Sequence, residues 1–416
     1  MIITVTPNPA LDLTWHVAAL EIGGVHRADA GKSRAGGKGL NVARVAHAQG
    51  ASAVAITTSG GATGAEFAAE LDASGVPHVL VPVTASTRRS IALVDEVLGD
   101  TTIVNERGEA PTDVEWAALK DAVARALARV SASEAGADGL GDAAGPDAGG
   151  QDVLVISGSL PPGTPDDLLP SLIRLGRDAG ATVIVDTSGP AMLTAADAGA
   201  SVLKPNQHEL RDATGLDDPI EGARELLRRG VELVLLSLGA DGMLAVSAAP
   251  SEPRAFASAG HTPGGDTPDY GQIRGKRPLS GVSAPDVERD GGLPTVASGA
   301  NAAPVSILHA RLDTALAGNP TGAGDAGVAA CAVLMDAGIR DPEAILRRAT
   351  AWSAAAVLMP LAGDIHPSWP ELERALTVAA RPDLADAHPG TERQLPERES
   401  RAADPGTAES DPKETR

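Results

Sequence analysis

Aromatic side chains are nearly absent. The 416-residue chain has two Phe, four Trp and one Tyr. A surface that stacks bases needs more aromatics than this, so the core must be built from small side chains on closely packed helices and strands. Basic residues are also in deficit, 34 against 55 acidic, for a net charge of −21. That balance excludes the basic footprint of a nucleic-acid-binding protein. It favours solubility, and it means that an anionic substrate would need a local cluster of cations working against the global field. A single cysteine, Cys331, excludes an intramolecular disulfide and a thiolate metal centre; it sits in an apolar run and reads as a buried thiol. No apolar run reaches membrane length, and MIITVTPNPA has neither the basic nor the long apolar region of a signal peptide. The expected location is the cytoplasm, with no membrane partner.

What is present is alternation. The runs IITVT (2–6), AVAIT (53–57), DVLVIS (152–157), TVIVDT (182–187), SVLKP (201–205) and LVLLSLG (233–239) read as strands. Between them, 40–50, 64–75, 165–180 and 220–230 carry helical patterns, several ending in Gly. Near-continuous apolar strands separated by helices predict an α/β fold, a mostly parallel central sheet covered by helices on both faces. Residues 87–108 hold two alternating runs around Gly99-Asp100, a hairpin signal, and 12–30 also look extended. These two β pieces are candidates for a small lid, or for edge strands of the main sheet. Three segments lack periodicity: 131–151, 248–304 and 381–416. Their composition predicts two flexible insertions and a disordered polar tail around a domain of residues 1–380.

Five segments can carry chemistry. GGKGLNVAR (36–44) places adjacent glycines before a helix start, with Lys38 and Asn41 beside them. SGSLPPG (157–163) puts Ser157 and Ser159 after a strand, where α/β sheets bind ligands. KPNQHEL (204–210) combines Lys204, Asn206 and Glu209, and one carboxylate near phosphates suits Mg²⁺. SLGADG (237–242) opens a turn through Gly239 and Gly242 that has room for a flat base, though it is equally good hairpin chemistry. Each alone is also compatible with an ordinary loop or a capped helix.

The fifth segment, NPTGAGDAG (319–327), permits two readings. GAGDAG fits a dinucleotide fingerprint, and Glu343 lies at about the right distance for a ribose contact, but it follows Asp341-Pro342 in an apparent helix start. Asp325 would also repel a pyrophosphate. The carboxylate makes sense if it meets a neutral hydroxyl while the amides of Gly322, Ala323 and Gly324 hold a transferring phosphoryl group. Asp325 then accepts the proton. The G-x-x-x-x-G-K-[ST] motif is absent, which excludes a P-loop ATPase.

TVTPNPALD (4–12), GGKGLNVARV, the TRR at 87–89, SGSLPPG, DTSG (186–189), KPNQHEL, SLGADG and GNPTGAGDA together resemble, in order, the PfkB (ribokinase-like) family of carbohydrate kinases. The resemblance covers about residues 1–375 outside the insertions and is to the subgroup of 1-phosphofructokinases and tagatose-6-phosphate kinases. It implies a ribokinase-like core with a β-sheet lid that often forms a homodimer interface. It also implies ATP and Mg²⁺ as cofactors and a ketohexose phosphate as the small-molecule partner, most readily fructose 1-phosphate. Tagatose-6-phosphate kinase, 6-phosphofructokinase and a non-catalytic sugar-phosphate sensor are the alternatives.

By the same resemblance, Asp325 is the base and Gly322, Ala323 and Gly324 the anion hole. Asp12, Gly37 and Asn41 bind sugar hydroxyls. Lys38, Arg88 and Ser157 or Ser159 hold the substrate's own phosphate. Lys204, Asn206 and Glu209 lie at the nucleotide and metal end, with Ser237, Gly239 and Gly242 near the base and ribose. The chain departs from the family pattern in two places. Eighty positions separate Gly242 from Gly322, and NERG (105–108) stands where NEPG is usual.

Overall fold

The computed structural model describes residues 1–137, 151–249 and 304–385. The chain runs β1 (Ile2–Thr6), β2 (Ala10–Val17), β3 (Lys32–Gly36), α1 (Lys38–Ala48), β4 (Ala53–Ser59), α2 (Gly61–Ser74), β5 (His78–Pro82), β6 (Arg88–Asp95), β7 (Asp100–Asn105), α3 (Asp113–Ala137), β8 (Val153–Ser157), α4 (Leu168–Asp178), β9 (Thr182–Asp186), α5 (Pro190–Asp197) and β10 (Val202–Leu203). It continues through α6 (Gln207–Thr214), α7 (Pro219–Arg228), β11 (Leu233–Ser237), β12 (Met243–Ala248), β13 (Val305–Arg311), α8 (Ala323–Asp336), α9 (Pro342–Val357), α10 (Trp369–Ala375), β14 (Thr377–Ala380) and α11 (Pro382–Ala385).

The large sheet has the order β14-β13-β12-β11-β10-β9-β8-β1-β4-β5. From β11 to β5 every pairing is parallel, and β12, β13 and β14 add antiparallel at the other edge. The parallel strands read as apolar runs because both faces are covered. On β1, Ile3 and Val5 enter a core with Trp116, Leu119, Leu172 and Leu226 of α3, α4 and α7, while Ile2 enters one with Val42, Ala329 and Trp352 of α1, α8 and α9. Side chains on β8 and β9 divide the same way: Leu154, Ile156, Val183 and Val185 face one core, Val153, Val155 and Ile184 the other.

The second sheet has the order β3-β2-β6-β7. The hairpin predicted over 87–108 is present as β6 and β7, with the turn completed by Gly99 at φ 69. The second sheet is bounded differently from the lid piece expected over 12–30: its further strand is β3, at Lys32–Gly36, and none of 18–31 is strand. Leu11 and Ala35 root this sheet in a third core cluster with Leu40, Phe67 and Leu71.

Two other boundaries also differ. The backbone of 131–137, assigned by composition to an insertion, continues α3, in keeping with the helix propensity of its alanines. Residues 381–385, assigned to the tail, are ordered: the Arg381 amide donates to Ile307 O at 2.8 Å, and Leu384 is buried in the core. The rest of the three aperiodic segments, 138–150, 250–303 and 386–416, lies outside the described residues. Among the described residues no helix is long and apolar enough to cross a membrane. Cys331 is buried, as expected.

Candidate active site

The strand order reverses at β1: the chain moves from β1 to β4 and β5 on one side, then returns to β8 on the other and proceeds to β9, β10 and β11. Carboxyl ends of parallel strands at such a reversal form a crevice. Here it opens into a cavity of about 1090 Å³, lined by residues at or just beyond the ends of β1 (Asn8), β8 (Gly158, Ser159), β10 (Lys204, Asn206) and β11 (Ser237, Gly239). Asp12, Arg88, Ser90, Asn105 and Arg107 of the second sheet and its adjoining turn also line it.

Helix starts explain why charge gathers here. The helices α7 and α9 start at Asp-Pro, and the Asp218 and Asp341 side chains cap them. By contrast, α1 and α8 start on Gly37 (φ 111) and Gly322 (φ 84), with no side-chain cap. Their N-terminal amides and dipoles face the cavity. Ala323 N–H is already engaged, donating to Pro320 O at 3.1 Å; the amides of Gly324 and Asp325 have no acceptor among the described residues. The predicted glycine loop is therefore present; of its three expected amides only that of Ala323 is already engaged.

Asp325 sits in that first turn, buried. Burial pushes its pKa up to about 6, against the opposing pull of Lys38, with Asp186 adding to the rise. Asn41 Nδ2 donates to Asp325 Oδ2 at 2.8 Å, while Asn41 Oδ1 is buried without a partner among the described residues. Asp12, on β2, is pushed up to about 7 by desolvation, offset by Arg88 and raised further by Asp325. Gly36 makes room for it, since a Cβ there would overlap Asp12 Oδ2.

Lys38 points into the charged floor rather than standing as a free cation. Its Nζ lies 3.3 Å from Asp186 Oδ1 and 3.6 Å from Glu209 Oε1, and Asp186 is the main reason its pKa is raised. Burial works to raise the pKa of Asp186, but Lys38 and Lys204 hold it below the usual carboxylate range. Asp186, at the end of β9, was not anticipated as a site residue. The available signal was an acid followed by Thr-Ser-Gly at a parallel strand's carboxyl end.

Ser157 is a correction. It is fully buried, donates to Asp186 Oδ2 at 3.1 Å, and does not line the cavity. β8 ends there, and the chain reaches the cavity from the next residue, Gly158, onward. Ser159 does line it, accepting from Asn8 Nδ2 at 3.1 Å. The same Asn8 amide donates to Arg107 O, and Asn8 O accepts from Arg88 Nε and Nη2. Asn8 and Arg107 are lining residues that the sequence reading passed over, although NERG had marked the second.

Asn206 and Glu209 form a capping box at α6: Glu209 N donates to Asn206 Oδ1 at 2.8 Å and Asn206 N to Glu209 Oε2 at 2.9 Å. Both still line the cavity. A Cβ on Gly324 would lie 3.1 Å from Lys204 Nζ, so this lysine stands next to the α8 start. The turn at Gly239–Asp241 joins two antiparallel strands, so it is a hairpin that also lines the cavity, as do Gly242 and Gly37. Gly242 has φ 90, and a Cβ there would overlap Ala310 O. Glu343 lies in the first turn of α9 and pairs with Arg347 at 3.2 Å, away from any strand end, which removes the dinucleotide reading.

Comparison with known proteins agrees with this geometry. A model of the "pfkB family carbohydrate kinase" matches residues 8–259. A 1-phosphofructokinase of Haloferax volcanii is 38% identical over 253 residues, 59% of this chain and 73% of that protein. One of Xanthomonas campestris is 35% identical over 254 residues, 59% and 73% of the two chains. Phosphofructokinase-2 of Escherichia coli shares the fold at a TM-score of 0.65 and 24% identity, over 90% of this chain and 98% of that one. A possible 1-phosphofructokinase of Thermotoga maritima does so at 0.65 and 20%, over 91% and 99%. The fold is thus ribokinase-like, and the chain belongs to the pfkB family of carbohydrate kinases, phosphotransferases that act on a sugar hydroxyl.

Proposed function

We propose that this kinase transfers the γ-phosphoryl group of ATP to the C6 hydroxyl of fructose 1-phosphate, giving fructose 1,6-bisphosphate and ADP. The observation that carries the proposal is the placement of Asp325: a buried carboxylate beside uncapped helix amides, oriented by Asn41 and flanked by Lys38 and Lys204. As the hydroxyl oxygen bonds to Pγ and the bond from Pγ to the bridging oxygen breaks, Asp325 takes the hydroxyl proton. The open amides and Lys204 stabilise charge on the transferring group. Gly37, Asp12 and Asn41 line the part of the cavity that takes the sugar hydroxyls. Arg88 and Arg107, with Asn8 and Ser159 between them, take the phosphate the substrate already carries. Lys38 completes the charged floor between the two substrates.

ATP occupies the side lined by Asn206, Ser237, Gly239 and Gly242. Among the described residues no three metal-binding side chains cluster. One carboxylate nevertheless fits Mg²⁺, which is held largely by phosphates and water; Glu209, which lines the cavity, would supply it. When bound, the ion neutralises phosphate charge.

The second sheet is proposed as a homodimer interface in a cytoplasmic enzyme. Ile22, Val25, Val97, Leu98, Ile103 and Val104 are exposed large apolar side chains on this sheet and its loops. Light scattering on a Leu98→Asp variant tests it: a monomer is expected where the parent is a dimer, and an unchanged mass refutes it.

The function is tested by ADP release from ATP with fructose 1-phosphate, fructose 6-phosphate, tagatose 6-phosphate and unphosphorylated fructose. Turnover favouring fructose 1-phosphate is expected. Preference for another phosphosugar replaces the substrate, and no turnover on any of them overturns the kinase reading.

A further inference from the structure

The two halves of this site come from different layers, and one side chain ties them together. Asp12 lies on β2 in the second sheet, and Asp325 on α8 against the large sheet. Arg34, on β3, is the cross-strand partner of Asp12 in the antiparallel register. Its guanidinium leaves the sheet. Nη1 donates to Ala362 O at 2.8 Å and to Asp364 Oδ2 at 2.7 Å, and Nη2 donates to Asp364 Oδ1 at 3.0 Å. This is the bidentate fork that a guanidinium makes and an ammonium does not.

The segment it grips, residues 360–364, is wedged against the glycine loop. Gly322 fits only because it lacks a Cβ, which would lie 2.8 Å from Ala362 Cβ and 2.9 Å from its Cα. Asn319 Nδ2 donates to Pro360 O at 3.2 Å. Gly363, at φ 87, presses on α1: a Cβ there would lie 3.1 Å from Asn41 Oδ1 and 3.0 Å from Arg44 Cδ. Arg34 therefore reaches the loop that shapes the start of α8 and the side chain that orients Asp325.

We propose that Arg34 is a positioning residue that fixes the second sheet to the glycine loop through Ala362 and Asp364, and so sets the distance between the sugar-binding strand and the phosphoryl-transfer centre. The reason is geometric. In-line transfer needs the attacking oxygen held in contact range of phosphorus, and a misplacement of about 1 Å costs on the order of 10²-fold in rate. Neither sheet alone can hold that distance.

Arg34 also acts on the charge of Asp12. The groups facing Asp12 are Arg34 from β3, Arg88 and the Ser90 hydroxyl from β6, and Asp325 from α8. Two cations and the hydroxyl favour the carboxylate, and Asp325 opposes it. Loss of Arg34 removes one of the two cations. This second effect separates the proposal from a merely structural ion pair.

The proposal rests on the kinase reading for its kinetic arm only. Three variants separate its parts: Asp364→Asn breaks the fork and keeps the cation near Asp12; Arg34→Lys keeps the cation and loses the fork; Arg34→Met loses both. In the unliganded full chain, amide hydrogen exchange over 320–326 should quicken at least several-fold in all three, with exchange in the central strands β1 and β8 unchanged. With ATP and fructose 1-phosphate, all three should lose kcat by roughly 10- to 100-fold with KM for ATP nearly unchanged. Only Arg34→Met should move the acid limb of kcat/KM for the sugar to higher pH. Unchanged exchange over 320–326 overturns the proposal whatever the substrate. So does a wild-type kcat in Asp364→Asn, or an acid limb that stays put in Arg34→Met. A wild-type chain that phosphorylates no ketohexose phosphate sinks the kinase reading instead and leaves the exchange result to decide this one.

Discussion

Asn41 Nδ2 lies 2.8 Å from Asp325 Oδ2 and joins the first turns of α1 and α8. The two residues are far apart in sequence and come from two helices that start on glycines with no side-chain cap. A hydrogen bond donated to a carboxylate stabilises its ionised form and lowers its pKa. Asn41→Ala should therefore raise the pKa of Asp325 above its present value of about 6. The acid limb of kcat should move to higher pH, with kcat at its optimum down roughly 10-fold. A pH–rate profile of the variant checks this; a limb in the wild-type position refutes it.

Asp325 carries opposite signs for activity and stability. Asp325→Asn should lose kcat by roughly 10²–10⁴-fold, since the proton acceptor is gone, while the KM values change little. The folded-state pKa of Asp325, about 6, stands above the ordinary 3.8. Ionising it in the folded protein thus costs stability, a cost that grows between those values and is complete above about pH 6. The Asn variant should melt higher than wild type at pH 8, by about 1–3 kcal/mol, with the gap closing as pH falls toward 4. Melting curves at pH 8 and pH 5 decide it; a variant less stable at both contradicts the buried-carboxylate account.

Arg107 stands where the family usually has proline, and it lines the cavity beside Asn8, Arg88 and Ser159. If it takes the substrate's phosphate, Arg107→Gln should raise KM for the phosphosugar roughly tenfold, the scale of one charge-assisted hydrogen bond. KM for ATP and kcat should hold. Steady-state kinetics on both substrates would show a misplacement at once, as a change confined to ATP.

Gly322 has two reasons to be glycine: φ 84, and contact with Ala362. Gly322→Ala should cost about 1–2 kcal/mol in backbone strain alone. It should also reduce kcat by displacing the amides at the α8 start, with little effect on either KM. A calorimetric melt and a kcat measurement test the two parts separately.

Much of this site was legible locally. The GGKG and TGAGD loops, the capping box at Asn206 and Glu209, and the alternation that builds β1, β8 and β9 are set by neighbours in sequence. Glycine permits the conformation, an Asn or Glu three residues on satisfies the amides, and apolar runs bury on both faces. The burial of Ser157 and the ion pairs of Lys38 were not legible, because neither is a local property. Ser157 is pulled under the cavity floor by Asp186, and Lys38 is drawn to Asp186 and Glu209.

The chain by itself determined the class of chemistry: a carboxylate beside glycines at a helix start, few cations, and an alternating α/β pattern. Only the tertiary structure decided which charges meet. Asp186 from β9, Lys38 from α1, Glu209 from α6 and Asp325 from α8 share one floor, and Arg34 from the second sheet reaches the loop before α10. Such pairings depend on strand order and on desolvation, which act through space between segments tens to hundreds of residues apart. The reach of a side chain, and the pKa it adopts, are set there.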